Sequence, residues 1–210
     1  MATPTRIETA HGLCSIVELP DDAFANALAA LPEREQAIAA TVSEVRRREL
    51  IAGRTVLHDA LRQLDPSLAD FAIIADDRGA PVLPPGWVGS VSHKSTRAAA
   101  LVCRDSGPRI GVDLELAAPP RQDIATRILT PRELEALADR GAGTTLRFSI
   151  KEAIYKAVDP FVRRYVAFTE VELEIADGIA HVSSELALDI DTTWRELDGY
   201  WLATARASRR

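Results

Sequence analysis

The sequence predicts an α+β protein built from two similar halves. Each half contains helical stretches of apolar residues at three- and four-residue spacing, followed by short apolar strands. The polar, glycine- and proline-containing segment Asp105–Pro108 lies between the halves and is typical of a boundary. We therefore expect an N-terminal subdomain over residues 1–107 and a C-terminal subdomain over residues 108–210. No internal repeat or low-complexity tract accompanies this division.

In the N-terminal half, helices are predicted before most of the strands. Pro20-Asp21-Asp22 precedes a short helix, and apolar residues recur at helical spacing from Ile38 to Leu64, which predicts one long helix after Pro32. The other elements are a strand at Cys14–Leu19, the short helix at Ala23–Leu31, a buried strand at Phe71–Ile74, a turn at 76–79, a loop at 84–86 and a hairpin pairing Trp87–Ser92 with Ala98–Cys103.

The C-terminal half begins with a predicted strand over Ile110–Leu116. Thr130-Pro131-Arg132-Glu133 has the pattern of a capping box with proline at the first helical position, so a helix is expected from there to about Asp139. A second helix is predicted over Leu146–Val158, ending near Asp159-Pro160. Three strands complete this half, at Val171–Ile175, Ile179–Ser183 and Tyr200–Thr204.

Composition limits the possible functions. The chain has 210 residues, 47% hydrophobic and 27% charged, which are ordinary globular values. A net charge of −6 argues against a general nucleic-acid binder and against an anionic membrane surface as partner. The first residues lack the apolar core of a signal peptide, and no run approaches the ~18 apolar residues of a membrane helix, so we expect a cytoplasmic protein. Cys14 and Cys103 are far apart and are expected to be reduced thiols.

Two short motifs carry the chemistry. In Gly111-Val112-Asp113-Leu114-Glu115, the two carboxylates are two residues apart and would share one face of a strand. In the segment from Lys151 to Lys156, Glu152 and Lys156 are four residues apart and would share one face of a helix. Carboxylates suit Mg²⁺, which also takes phosphate oxygens, and lysine offers a compact charge for a phosphate. Taken singly, each pair has a plainer interpretation, as polar residues on an exposed strand face and as a surface ion pair.

Lysine usage favours the functional interpretation. Only Lys94, Lys151 and Lys156 are lysines among 25 basic residues, and the other 22 are arginines. Two of these three lysines fall within six residues of each other, in the second motif. The pattern indicates a requirement for an ammonium group there.

These residues resemble the signature of the 4′-phosphopantetheinyl transferases, in which G-x-D-x-E is followed by W-x-x-K-E-A-x-x-K. Phe148 replaces the tryptophan, and an aromatic at this place is expected to pack. Three upstream segments are similar to the long-chain, surfactin- and enterobactin-type branch, and the resemblance extends over residues 33–172; the segments are Arg46–Arg54, Arg78–Pro81 and Gly89–His93.

The resemblance implies a pseudo-twofold pair of α+β halves with the active site at the seam, and a monomer. It also implies transfer of the 4′-phosphopantetheine arm of coenzyme A (CoA) to a serine of an apo acyl or peptidyl carrier protein, with release of adenosine 3′,5′-bisphosphate. Mg²⁺, replaceable by Mn²⁺, would be held by Asp113, Glu115 and Glu152. Glu152 would also act as general base, and Lys156 would stabilise the leaving phosphate.

For CoA binding, the resemblance selects residues from both halves. Helical geometry does not separate Arg46 from Arg47 as the partner of Arg54, because positions 47 and 54 are seven apart and nearly eclipsed. The family pattern favours Arg46. The implied CoA-binding set is Arg46, Arg54, Arg78, Ser92, His93, Lys151 and Lys156. Two other functions stay open, an Mg²⁺-dependent nucleotide-pyrophosphate hydrolase and a non-catalytic binder of CoA or carrier protein.

Overall fold

The computed structural model describes residues 3–137 and 141–210. Helices and strands occur in both parts of the chain, which confirms the α+β class. Contacts divide the chain into two compact units, Met1–Ser106 and Gly107–Arg210. The symmetry expected between the halves stays a prediction. None of the helices in the described ranges is long and apolar enough to cross a membrane.

Unit 1 consists of a four-stranded antiparallel sheet covered by helices. Its sheet has the order β1-β2-β6-β5, and a two-stranded β3-β4 ribbon lies beside it in the chain. The strands are β1 (Thr5–Thr9), β2 (Gly12–Glu18), β3 (Ile74–Ala75), β4 (Pro81–Val82), β5 (Trp87–Lys94) and β6 (Arg97–Arg104), and the helices are α1 (Phe24–Ala29), α2 (Glu33–Ala39) and α3 (Glu44–Leu64).

Helix α3 builds the core of unit 1. Its apolar face packs on β2, β5 and β6. Ile51, Val56, Leu57 and Leu61 are almost completely buried there, together with Val102 of β6. Burial of such side chains contributes ~1.5–3 kcal/mol each, so this face fixes how α3 lies on the sheet.

Unit 2 contains one long helix and two antiparallel sheets. Its elements are β7 (Arg109–Leu116), α4 (Ala125–Ile128), α5 (Pro131–Ala136), α6 (Ala142–Val162), β8 (Val171–Ile175), β9 (Ala180–Ser184), β10 (Leu188–Leu197) and β11 (Tyr200–Arg209). An antiparallel sheet has the order β10-β11-β7, and β8 pairs with β9. Helix α6 packs on β7 and β11 through the buried alanines Ala153, Ala157, Ala203, Ala205 and Ala207.

Gly111 sets the distance between α6 and β7. A Cβ atom at this position would lie 1.9 Å from the carbonyl oxygen of Ala153 and 3.0 Å from the amide nitrogen of Ala157. Backbone atoms cannot yield as a flexible side chain can, so only glycine permits this approach. The glycine therefore brings the helix backbone against the strand two residues before Asp113.

Several predicted elements differ from the observed ones. The long helix after Pro32 is two helices, because Ser43 caps a new one by accepting a hydrogen bond from the amide of Arg46. The strand predicted at Phe71–Ile74 is confined to Ile74–Ala75, because the amide of Ile73 donates to the Glu35 carboxylate.

In unit 2, the capping box of Thr130 and Glu133 is confirmed, and the helix described from it is Pro131–Ala136. The predicted end near Asp139 lies outside the described residues. Helix α6 continues past Pro160, because a proline in the last turn removes only one of its hydrogen bonds. Strands β1 and β10 were outside the predicted elements, whereas the β5–β6 hairpin and strand β7 are confirmed.

Candidate active site

The G-x-D-x-E motif of β7 and the second motif on α6 meet in unit 2. Asp113 is 4% exposed and lies opposite Ala203 of β11. The ammonium group of Lys156 donates to Asp113 Oδ1 at 2.8 Å and to the carbonyl oxygen of Val112 at 2.9 Å. The structure thus brings together a carboxylate and an ammonium group that are 43 residues apart in the chain.

Glu152 of α6 is influenced by the charges of Asp113 and Lys156. Burial raises the pKa of the Glu152 carboxyl, the charges of Asp113 and Glu115 raise it further, and only Lys156 acts in the opposite direction. Glu115 is half-buried on the same strand face as Asp113, as the alternation of strand residues predicts. Three carboxylates therefore influence one another beside a single ammonium group.

A hard divalent cation suits this set of groups. Carboxylate oxygens are the ligands that Mg²⁺ prefers, and a dication would offset the excess negative charge that raises the pKa of Glu152. Within the described ranges, no three acidic, histidine or cysteine side chains already converge as a metal site. The arrangement of Asp113, Glu115 and Glu152 around one point is thus not formed in this structure, in which Lys156 is the counter-ion of Asp113.

Lys151 has a different environment from the one its predicted role requires. Its side chain is 1% exposed, and its ammonium group donates to Glu133 Oε2 at 2.7 Å. It also donates to the carbonyl oxygens of Ile128, at 2.8 Å, and Phe168, at 3.0 Å. An ammonium group has three N–H donors, so none is left for a phosphate. The structure corrects the assignment of Lys151 to CoA binding: it lies in the core of unit 2.

Glu133 completes the buried network around Lys151. Besides Lys151, the carboxylate accepts hydrogen bonds from the amides of Thr130, at 2.7 Å, and Leu173, at 3.0 Å. The ion pair therefore joins α5, α6 and β8. Phe148 packs against Phe168 beside it, with ring centroids 5.6 Å apart, so the aromatic that replaces tryptophan does pack as expected.

In unit 1, Glu49 connects two of the predicted phosphate contacts. Arg46 Nη1 lies 3.1 Å from Glu49 Oε2, and His93 Nε2 lies 3.6 Å from the same oxygen. A cleft of 320 Å³ is lined by Glu49 and His93, with Phe24 and Arg48 also in its wall. Sequence reasoning missed Glu49, although its position three residues after Arg46 was a signal for an ion pair on α3.

Arg54 lies deeper in unit 1. It is 9% exposed, and its Nε atom is buried with no hydrogen-bond partner among the described residues. Burial lowers the pKa of its guanidinium, the charge of Glu35 raises it, and that of Arg46 lowers it. The charge of Arg46 thus disfavours the charged form of Arg54, and an anion bound near both would offset this repulsion.

The remaining residues of unit 1 that were predicted to contact CoA are Ser92 and Arg78. Ser92 is 7% exposed on β5, next to His93. Helix α3 approaches this strand closely, because a Cβ atom at Gly53 would lie 3.1 Å from Val91 Cγ2. Arg78 lies in an exposed turn, where its amide donates to the Asp76 carboxylate at 2.8 Å. Cys14 is buried, Cys103 is half-buried, and neither forms a disulfide.

The carboxylate–ammonium cluster has the groups that suit a divalent cation and a phosphate, and comparison with known proteins identifies the family. Residues 33–103 match the 4′-phosphopantetheinyl transferase N-terminal domain, and residues 109–205 match the 4′-phosphopantetheinyl transferase superfamily. The 4′-phosphopantetheinyl transferase Npt of Nocardia iowensis is 34% identical over 216 residues, 95% of this chain and 91% of that protein. The chain belongs to the 4′-phosphopantetheinyl transferase superfamily, and it is an enzyme of that type.

Two further proteins are similar to this chain. The 4′-phosphopantetheinyl transferase PptT of Mycobacterium tuberculosis is 33% identical over 152 residues, which are 70% of this chain and 65% of that protein. Among solved structures, the holo-[acyl-carrier-protein] synthase of Thermotoga maritima aligns with a TM-score of 0.39 and 22% identity, over 48% of this chain and 63% of that one.

Proposed function

We propose that this enzyme transfers the 4′-phosphopantetheine arm of CoA to a serine hydroxyl of an apo acyl or peptidyl carrier protein, in an Mg²⁺-dependent reaction that releases adenosine 3′,5′-bisphosphate. The observation that carries the proposal is the cluster of Asp113, Glu152 and Lys156, which joins β7 to α6 in a chain of this superfamily. In the reaction, the serine oxygen forms a bond to the β-phosphorus, and the bond from that phosphorus to the bridging oxygen breaks.

Asp113, Glu152 and Glu115 are the residues that would hold Mg²⁺ on the pyrophosphate. The bound ion would supply charge neutralisation and would orient the phosphate oxygens. Asp113 is anchored by β7, and the close contact at Gly111 fixes α6, which carries Glu152, beside that strand.

Glu152 is the proposed general base. It would accept the proton of the incoming serine, directly or through a water. Its environment supports this role, because burial and neighbouring carboxylates raise the pKa of the carboxyl and thus its affinity for a proton. A carboxylate has two oxygens, so one can face a cation while the other takes the proton.

Lys156 is the proposed contact to the pyrophosphate. The Lys156 side chain is 26% exposed, so its ammonium group can turn from Asp113 towards an incoming phosphate. A bound divalent cation would supply the counter-charge of Asp113, and Lys156 would then be available to stabilise the charge that develops on the leaving bisphosphate.

The 3′-phosphate end of CoA is assigned to residues of unit 1. We propose that Arg46 and Arg54, with Ser92 and His93, bind this phosphate and that Arg78 contributes at the same end of the cofactor. The buried guanidinium of Arg54 supports this assignment, because its Nε has no hydrogen-bond partner in the described part of the chain. Burial would strengthen such a contact, since charges interact more strongly away from water.

The direct test is mass spectrometry of an apo carrier protein incubated with the enzyme, CoA and Mg²⁺. We expect the carrier to gain the mass of phosphopantetheine, with adenosine 3′,5′-bisphosphate formed in equal amount, and no gain after chelation of the metal. CoA cleavage without carrier would instead indicate a pyrophosphate hydrolase, and CoA binding with no mass gain on acyl or peptidyl carriers would indicate a binder.

A further inference from the structure

Unit 1 contains a buried polar cluster of Glu35 and His58. Glu35 of α2 is 1% exposed and His58 of α3 is 2% exposed. Glu35 Oε1 lies 2.9 Å from His58 Nε2 and accepts a hydrogen bond of 2.6 Å from the amide of Ile73. One carboxylate oxygen therefore holds three parts of the chain together.

The second oxygen of the Glu35 carboxylate differs from the first in its hydrogen bonding. Glu35 Oε2 is buried and has no hydrogen-bond partner in the described ranges. Such an atom is costly in a protein interior, and natural proteins keep few of them. A buried charged atom that is left in this state therefore points to a role beyond packing.

Arg54 is the cation on which Glu35 acts. Arg54 and His58 are one helical turn apart on α3, so their side chains lie on the same side of that helix. The negative charge of Glu35 stabilises the charged form of the Arg54 guanidinium and so raises its pKa. The hydrogen bonds of the Glu35 carboxylate, however, are made with His58 and Ile73. Arg54 Nε in turn remains buried without a partner among the residues described.

We propose that Glu35 is a positioning residue that holds the Arg54 guanidinium ready for the 3′-phosphate of CoA. Because His58 and the Ile73 amide engage Oε1, Glu35 stabilises the buried guanidinium through its charge and leaves the N–H groups of Arg54 for an external anion. A closed Glu35–Arg54 ion pair would consume these donors. The inference rests on the proposed role of Arg54 at the 3′-phosphate.

The test compares CoA with dephospho-CoA, which lacks the 3′-phosphate. Glu35→Gln keeps the shape of the side chain and an oxygen for the Ile73 amide but removes the charge. We expect KM for CoA to rise about tenfold, on the scale of one hydrogen bond to a charged group. The kcat with either substrate and the KM for dephospho-CoA should stay near the wild-type values. Glu33→Gln, at an exposed position of the same helix, is the matched control and should behave as the wild type.

A double variant separates positioning from general damage. If Glu35 acts through Arg54, then Glu35→Gln combined with Arg54→Ala should lose no more CoA affinity than Arg54→Ala alone. Equal increases of KM for CoA and dephospho-CoA, or additive losses in the double variant, would overturn the proposal. If Arg54→Ala itself affects both substrates equally, the assignment of Arg54 to the 3′-phosphate fails first and the role of Glu35 fails with it.

His58→Phe provides a second route if Glu35→Gln does not fold. It removes the nitrogen that engages Glu35 Oε1, so the carboxylate becomes free to pair with Arg54 and to compete with the phosphate. We expect a selective rise of KM for CoA here as well. An unchanged ratio of the KM values for CoA and dephospho-CoA in a folded His58→Phe variant contradicts the proposal.

Discussion

The ammonium group of Lys156 lies 2.8 Å from Asp113 Oδ1, so the helix that carries the second motif and the strand that carries the first are joined by an ion pair. Each partner is thereby the counter-ion of the other. A divalent cation on Asp113 and a pyrophosphate on Lys156 would replace this pair with two new ones, so binding both together should be easier than binding either alone.

Loss of Lys156 should therefore weaken two steps. In Lys156→Met, we expect the Kd of CoA to rise about tenfold or more, because a charge-assisted phosphate contact contributes ~1.5–3 kcal/mol. We also expect kcat to fall, because the same group stabilises the leaving phosphate. Calorimetric titration with CoA and steady-state kinetics measure the two effects. Wild-type affinity and turnover in this variant would show that Lys156 serves only as the partner of Asp113.

Glu152→Gln should separate binding from chemistry. The variant keeps the size of the side chain but loses its charge and nearly all its basicity. We predict that CoA binding in the presence of Mg²⁺ changes modestly, whereas the single-turnover rate of transfer falls by ~10²-fold or more, the usual scale of general-base loss. If affinity and rate fall by the same factor, Glu152 is a metal ligand and not the base.

Gly111→Ala should lower both stability and activity, although Gly111 itself is not a proposed ligand or catalytic residue. The added methyl group would meet the Ala153 carbonyl and force α6 away from β7. We predict a loss of ~1–3 kcal/mol in the free energy of unfolding, as for other overpacked positions, together with a larger loss of kcat. Urea denaturation and transfer assays measure both.

Gly143→Ala, on helix α6, is the control for this prediction, because its new methyl group would meet side-chain atoms and no backbone: Leu137 Cδ1 at 3.0 Å and Arg147 Nη1 at 3.7 Å. It should retain stability and activity. Normal stability of Gly111→Ala would contradict the close approach that the structure shows.

Lys151→Met should act on stability, because it leaves the Glu133 carboxylate buried without its cation. Removing one partner of a buried ion pair typically costs ~3–5 kcal/mol, so we expect a marked fall in the urea midpoint. Adding Glu133→Gln removes the unpaired charge and should restore part of the loss. In that double variant, KM for CoA should stay near the wild-type value. A large increase in this KM would instead support a direct contact between Lys151 and CoA.

Local patterns predicted much of this fold. The capping box at Thr130, strand β7 and the β5–β6 hairpin have signals within a few residues, namely a cap pair, an alternation and two apolar runs around a turn. The break before α3 was hidden, because the apolar spacing continues across Ser43 and only the capping interaction shows that a new helix begins.

The environments of the site residues were harder to predict, since they depend on which side of a helix meets the core. Lys151 and Glu152 are adjacent in sequence but about 100° apart around α6, so one enters the core while the other lies beside Asp113. The pairing of Glu35 with His58, 23 residues away, needs the packing of α2 on α3, for which the sequence has no local signal.

If Asp113 and Glu152 hold a divalent cation together with CoA, the protein should bind Mn²⁺ at this site, which electron paramagnetic resonance measures. We predict that the wild-type protein binds Mn²⁺ weakly alone and at least tenfold more tightly with CoA, since Mg²⁺-type ions take protein carboxylates and phosphate oxygens together. Asp113→Ala should abolish this gain while keeping the fold. If Asp113→Ala binds Mn²⁺ in the presence of CoA as tightly as the wild type does, Asp113 is not a ligand and the metal lies elsewhere.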